Sequence, residues 1–158
     1  MTTYTARPVL PTALKELRSL DDSGRGMVPV TDDEGGAPLR CCLRRSLPGE
    51  RIALVSYAPL RRWAAETGAD PGAYDEQGPV FIHAEECAGP DGDGLPFTNA
   101  HRTVRRYSAE GHILGGRLVV APEEFEDAFA EAFDDPAVAL VHVRAVEYGC
   151  FYYEVRRP

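Results

Sequence analysis

Arginine, histidine and cysteine recur at alternate positions in three segments: Arg40, Cys42 and Arg44; His142 and Arg144; and Cys150, Tyr152, Glu154 and Arg156. Alternate side chains of an extended strand share a face. Each set should therefore point one way, while Leu39, Cys41 and Leu43, then Ala139, Val141 and Val143, then Phe151, Tyr153 and Val155, point the other. The polar face carries Arg40, Arg44, Arg144 and Arg156 beside Tyr152, and guanidinium forks match carboxylate or phosphate with two parallel hydrogen bonds. His142 or His83 is the proton-transfer group, because imidazole titrates near neutrality. His142, Arg144 and Arg156 are expected to line one pocket for a small anionic metabolite. A merely solvated sheet face shows the same alternation, so a non-catalytic interaction or dimerisation module is the rival reading.

Sulfur offers two other chemistries. Cys42, His83, Cys87, His142 and Cys150 are ligand types that zinc favours. No Cys-x-x-Cys or His-x-x-x-His pair occurs, and the nearest spacing is His83-x-x-x-Cys87, so neither metal nor cofactor is expected. Cys42 or Cys150 beside His142 is the alternative of nucleophilic catalysis. Strand alternation sets Cys41 and Cys42 on opposite faces. Asp91 and Asp93 suggest a calcium loop, but Arg102 stands where the closing glutamate is required, which rejects it.

A chain of 158 residues, 44% hydrophobic and 27% charged, is expected to form a single globular domain over residues 1–158. Its net charge of -8 repels phosphate backbones and anionic surfaces, which argues against nucleic-acid and membrane partners. The start, Met1 to Arg7, lacks a leader pattern, and the longest apolar run, Ala137 to Val141, is short, so a cytoplasmic protein without disulfides is expected. Lys15 is the only lysine among 17 basic residues.

Tyr4 to Leu10 reads as a strand, followed by a helix from Pro11 with a Leu14, Leu17, Leu20 stripe. Met27 to Val30 reads as an edge strand. Hairpins are expected from Leu39–Arg45 with Arg51–Tyr57 across Pro48-Gly49-Glu50, from Thr103–Tyr107 with Ile113–Val120, and from Val138–Ala145 with Cys150–Arg156. Val80 to His83 is a further strand, and a short helix falls near Arg61–Thr67. After Pro122, the residues Phe125, Ala128, Phe129, Ala132 and Phe133 follow helical spacing as a core stripe. The fold class is α+β: a curved, largely antiparallel sheet built from hairpins, with two main helices on one face.

Three motifs together resemble a bacterial family known as domain of unknown function 1203. They are Arg40 through Tyr57 with Pro48-Gly49-Glu50-Arg51, Gly78-Pro79-Val80-Phe81-Ile82-His83, and Val141-His142-Val143-Arg144 followed by Gly149-Cys150-Phe151. The resemblance covers nearly the whole chain and implies a small stand-alone domain, with no activity, cofactor or catalytic residue attached. Many members have Pro-Cys where this chain has Pro38-Leu39, and a second histidine where it has Arg144.

Overall fold

The computed structural model describes residues 4–92 and 94–158; Met1 to Thr3 and Asp93, read above for a leader and a calcium loop, lie outside the described residues. Helix α1 (Pro11–Leu17) opens on proline, which fits the first helical turn because no partner is needed there for its missing N–H. Leu14 and Leu17 are buried, whereas Leu20 falls beyond the helix and is exposed. Strands β1 (Val30–Asp32), β2 (Glu50–Tyr57) and β3 (Gly78–His83) form one antiparallel sheet in that order. Strands β4 (Arg102–Ser108), β5 (Ile113–Val119), β6 (Val138–Ala145) and β7 (Phe151–Arg156) form another, ordered β5-β4-β6-β7 and antiparallel throughout. The fold is α+β, with two sheets in place of one curved sheet.

Helix α3 (Phe125–Asp134) follows a 3-10 turn begun by Pro122, where the Glu124 carboxylate accepts the Ala121 N–H at 2.8 Å. Its Phe125, Phe129 and Phe133 are buried in one cluster with Val104, Val141, Val143, Tyr153 and Val155. Each ring removed from water contributes about 1.5–3 kcal/mol, so this stripe anchors the second sheet. Helix α2 (Pro59–Thr67) instead packs Leu60 and Trp63 against Tyr107 and Leu140. Leu140 alternates with Val141 and Val143, so α2 covers the face opposite α3. The two main helices expected on one face, α1 and α3, instead pack on different sheets, since Leu14 and Leu17 of α1 are buried with Ile52, Val55, Val80 and Ile82 of the first. The polar face of β6, expected to line an open pocket, is roofed by α2.

Three local expectations also change. Leu39 to Arg45 is not a strand of a hairpin; β2 pairs with β1 and β3, and the 39–45 segment is a turn held to the edge of β3. Tyr4 to Leu10 forms no named strand, although Arg7 exchanges backbone hydrogen bonds with Glu154. The edge strand near Met27 falls later, at Val30–Asp32. The other two hairpins form, each with a bulge. In β7 the register passes from Val143↔Tyr153 to Arg144↔Phe151, leaving Tyr152 as the extra residue. That bulge reverses the expected orientation at one end: Phe151 joins the first sheet's core and Tyr152 the α3 side. No described helix is long and apolar enough to cross a membrane.

Candidate metal centre

The 39–45 segment places chemistry that a strand would have separated. Leu43 N–H returns to Leu39 C=O at 3.0 Å, and Leu39 N–H reaches Arg44 C=O at 2.9 Å, closing a single turn. Leu43 ends it in the left-handed region, φ 56°, a conformation that a branched side chain adopts only when its surroundings impose it. Arg40 N–H to Phe81 C=O fixes the turn on β3, and Val9 N–H to Arg40 C=O ties it to the segment before α1. Inside it Cys41 and Cys42 are both buried, at 2% and 5% exposure, which corrects the expectation of opposite faces.

His83 ends β3, and Cys87 follows four residues later. Arg18 pins this exit, donating from Nε to His83 C=O at 3.2 Å and from Nη2 to Glu85 C=O at 2.8 Å. Cys41 Sγ lies 3.4 Å and Cys42 Sγ 3.8 Å from His83 Nδ1, and the two sulfurs are 4.0 Å apart. With Cys87 Sγ included, all four ligand atoms lie within 4.8 Å of one another. A tetrahedral zinc ion with bonds of about 2.3 Å to sulfur and about 2.0–2.1 Å to nitrogen has ligand–ligand edges of roughly 3.5–3.8 Å. The separations among Cys41, Cys42 and His83 bracket those edges, and Cys87 lies within 4.8 Å of each.

The surroundings suit such a centre. His83 Nε2 lies 2.9 Å from Glu50 Oε2, so with Nε2 protonated the bare Nδ1 faces the sulfurs. Glu50 is gripped by the Arg44 fork at 3.0 and 2.9 Å and by Leu47 N–H; the fork, then that amide, hold its carboxyl well below the usual range. His83 N–H donates to Cys41 Sγ at 3.2 Å. Cys41 S–H donates to Cys42, which with the Arg44 amide brings the Cys42 thiol down to about 6 despite burial, while donating its proton pushes Cys41 up. One of the adjacent sulfurs is thus disposed to be a thiolate, the ligand form.

The other predicted site residues are dispersed. His142 is fully buried against Tyr107 and Phe151, with Nε2 3.1 Å from Glu154 Oε1 and Nδ1 without a partner among the described residues. Burial lowers its pKa, which fits a neutral ring donating to Glu154. Arg156 holds Glu154 at 2.6 Å and Glu66 at 3.0 Å and lines one cleft; Arg144 lines another; His142 lines neither. Arg40 is buried, bonds the carbonyls of Phe151 and Pro38, and stacks on Tyr152, as does Arg102. Arg44 serves Glu50, as described, so of the predicted set only His83 and Arg44 belong to this cluster. Sequence reasoning missed Cys41, excluded by assumed alternation, and Glu50. The His83-x-x-x-Cys87 spacing was the one legible signal, too weak without knowledge that the 39–44 turn lies against it.

No curated protein and no solved structure matches the chain. A family profile described as "Protein of unknown function (DUF1203)" matches residues 36–157, a span that contains Cys41, Cys42, Glu50, His83 and Cys87. Covering more than half of the chain, this match shows that the protein belongs to the DUF1203 family.

Proposed function

We propose that the protein binds one divalent ion of the zinc class through Cys41, Cys42, His83 and Cys87. The observation that carries this reading is the mutual approach of four soft ligand atoms within 4.8 Å, made by residues from a turn, a strand end and a loop. Glu50 on the remote nitrogen of His83 adds the carboxylate–histidine pairing that typically orients a ligating imidazole. The line Cys42–His83–Glu50 also has the order of nucleophile, base and orienting carboxylate. That arrangement leaves Cys41 and Cys87 without a role, whereas metal binding uses every member of the cluster. Four protein ligands leave no open position for water, so the ion's work is to clasp the Leu39–Arg44 turn to the loop after β3 rather than to activate a nucleophile. Three thiolates with a divalent ion leave one net negative charge, and the Arg44 guanidinium, 3.5 Å from His83 Nε2, neutralises the neighbouring Glu50 carboxylate so that it adds none.

Titration of reduced, metal-free protein with cobalt(II) tests the reading. One equivalent should give thiolate-to-cobalt charge-transfer absorption and tetrahedral d–d bands, both weakened in Cys42→Ser and Cys87→Ser. Absence of those bands, or their survival in both variants with circular dichroism unchanged, overturns it.

A further inference from the structure

A second cleft, of about 360 Å³, lies on the α2 side of the second sheet, with Arg105, Arg144, Glu76, Tyr57 and Tyr148 among its walls. It does not involve the sulfur cluster. Arg105 on β4 and Arg144 on β6 are brought together by register, since Arg105 pairs with His142 and Arg144 stands two residues further along. Both side chains are largely withdrawn from water, at 27% and 12% exposure. They share a single carboxylate: Glu76 Oε1 lies 2.7 Å from Arg105 Nη1 and 3.6 Å from Arg144 Nη2.

Arg144 is preset as a fork. Its Nε donates to Gly149 C=O at 2.9 Å, which fixes the guanidinium plane in the hairpin between β6 and β7. Its two outer nitrogens make no hydrogen bond among the described residues. Neighbouring His142 is neutral, as argued above, and adds no charge. Two guanidinium groups at a half-covered surface with one carboxylate leave a net positive charge, and such groups gain from a second anion or from a better placed one. Glu76 itself comes from an exposed segment before β3 with no regular structure, so it can leave.

We infer that this cleft binds the carboxylate of a small organic acid, and that Glu76 occupies the carboxylate position as an internal stand-in. The incoming carboxylate takes the outer edge of Arg144 and the Nη1 of Arg105, while Glu76 swings into solvent. Tyr57, Tyr148 and Phe151 supply an aromatic wall for the body of the acid. The volume is near the lower end for small-molecule sites, which restricts the ligand to one ring or a short chain.

Benzoate serves as the probe, with benzamide as its neutral isostere and inorganic phosphate as the competing oxyanion, followed by calorimetry and amide NMR shifts. Glu76→Gln removes the stand-in's charge and should bind benzoate about tenfold or more tighter than the wild type, the scale of one charge-assisted hydrogen bond. Arg144→Lys keeps the charge but loses the fork and should lose that gain, and benzamide should bind neither protein. A folded Glu76→Gln protein that binds benzoate no better than the wild type overturns the inference. So does equal binding by Arg144→Lys, or a preference for phosphate over benzoate. Because a destabilised variant does not gain affinity, the Glu76 result separates a binding role from a structural one.

Discussion

Cys41 and Cys42 are consecutive in the chain, yet their sulfur atoms lie 4.0 Å apart and both face Nδ1 of His83. A strand forbids that relationship, and the left-handed Leu43 that closes the turn permits it. The proposed centre exists because the backbone leaves extended geometry between Leu39 and Arg44.

Glu50 should govern the metal through His83. Glu50→Gln loses the anionic partner of the imidazole and the counter-charge of Arg44 while nearly keeping the shape. Zinc affinity, measured by competition with a chromophoric chelator, should fall about 10–100-fold with the far-ultraviolet dichroism unchanged. Unaltered affinity would remove Glu50 from the account.

The buried pair His142–Glu154 should make stability depend on pH. Burial holds His142 below its ordinary value, so on acidification the unfolded chain takes up a proton that the folded chain refuses. Its contribution is complete above about pH 6.5 and declines as the pH falls below that. Burial opposes ionisation of Glu154, but the His142 hydrogen bond and Arg156 outweigh it and lower its pKa, so its own contribution disappears only at more acidic pH. Denaturant unfolding of chelator-treated protein between about pH 7 and about pH 5 should show falling stability, with a shallower slope in His142→Gln. Identical slopes would contradict the neutral, buried imidazole.

Gly111 tests the turn that seats α2. It has φ +84°, and an added Cβ would stand 2.9 Å from Pro71 Cβ and 3.3 Å from the Trp63 ring. Gly111→Ala should cost roughly 1–3 kcal/mol in denaturant unfolding, through left-handed strain and overpacking together. A neutral effect would mean that this contact relaxes freely.

The residues that announced their structure did so by periodicity. Phe125, Phe129 and Phe133 marked their helix, and Val141 with Val143 marked a strand face, because one element's pattern suffices for each. Leu39, Cys41 and Leu43 alternate just as well, and there alternation misled, since nothing in the residue types signals a left-handed leucine. Alternation alone puts His142 in an open pocket, for want of two facts no local pattern contains: α2 covers that face, and Glu154 stands opposite it in register. Tyr152 changed sides through a bulge that shifts one residue. The sulfur cluster joins positions more than forty residues apart, so only its His83-x-x-x-Cys87 half could be seen along the chain.

X-ray absorption at the zinc edge, on protein reconstituted with one equivalent of zinc under reducing conditions, tests the proposed centre most directly. The account predicts a shell of three sulfur atoms at about 2.3 Å and one imidazole nitrogen at about 2.0–2.1 Å, with one sulfur lost in Cys87→Ser. A shell of oxygen and nitrogen alone, or a wild-type spectrum unchanged in that variant, would contradict it.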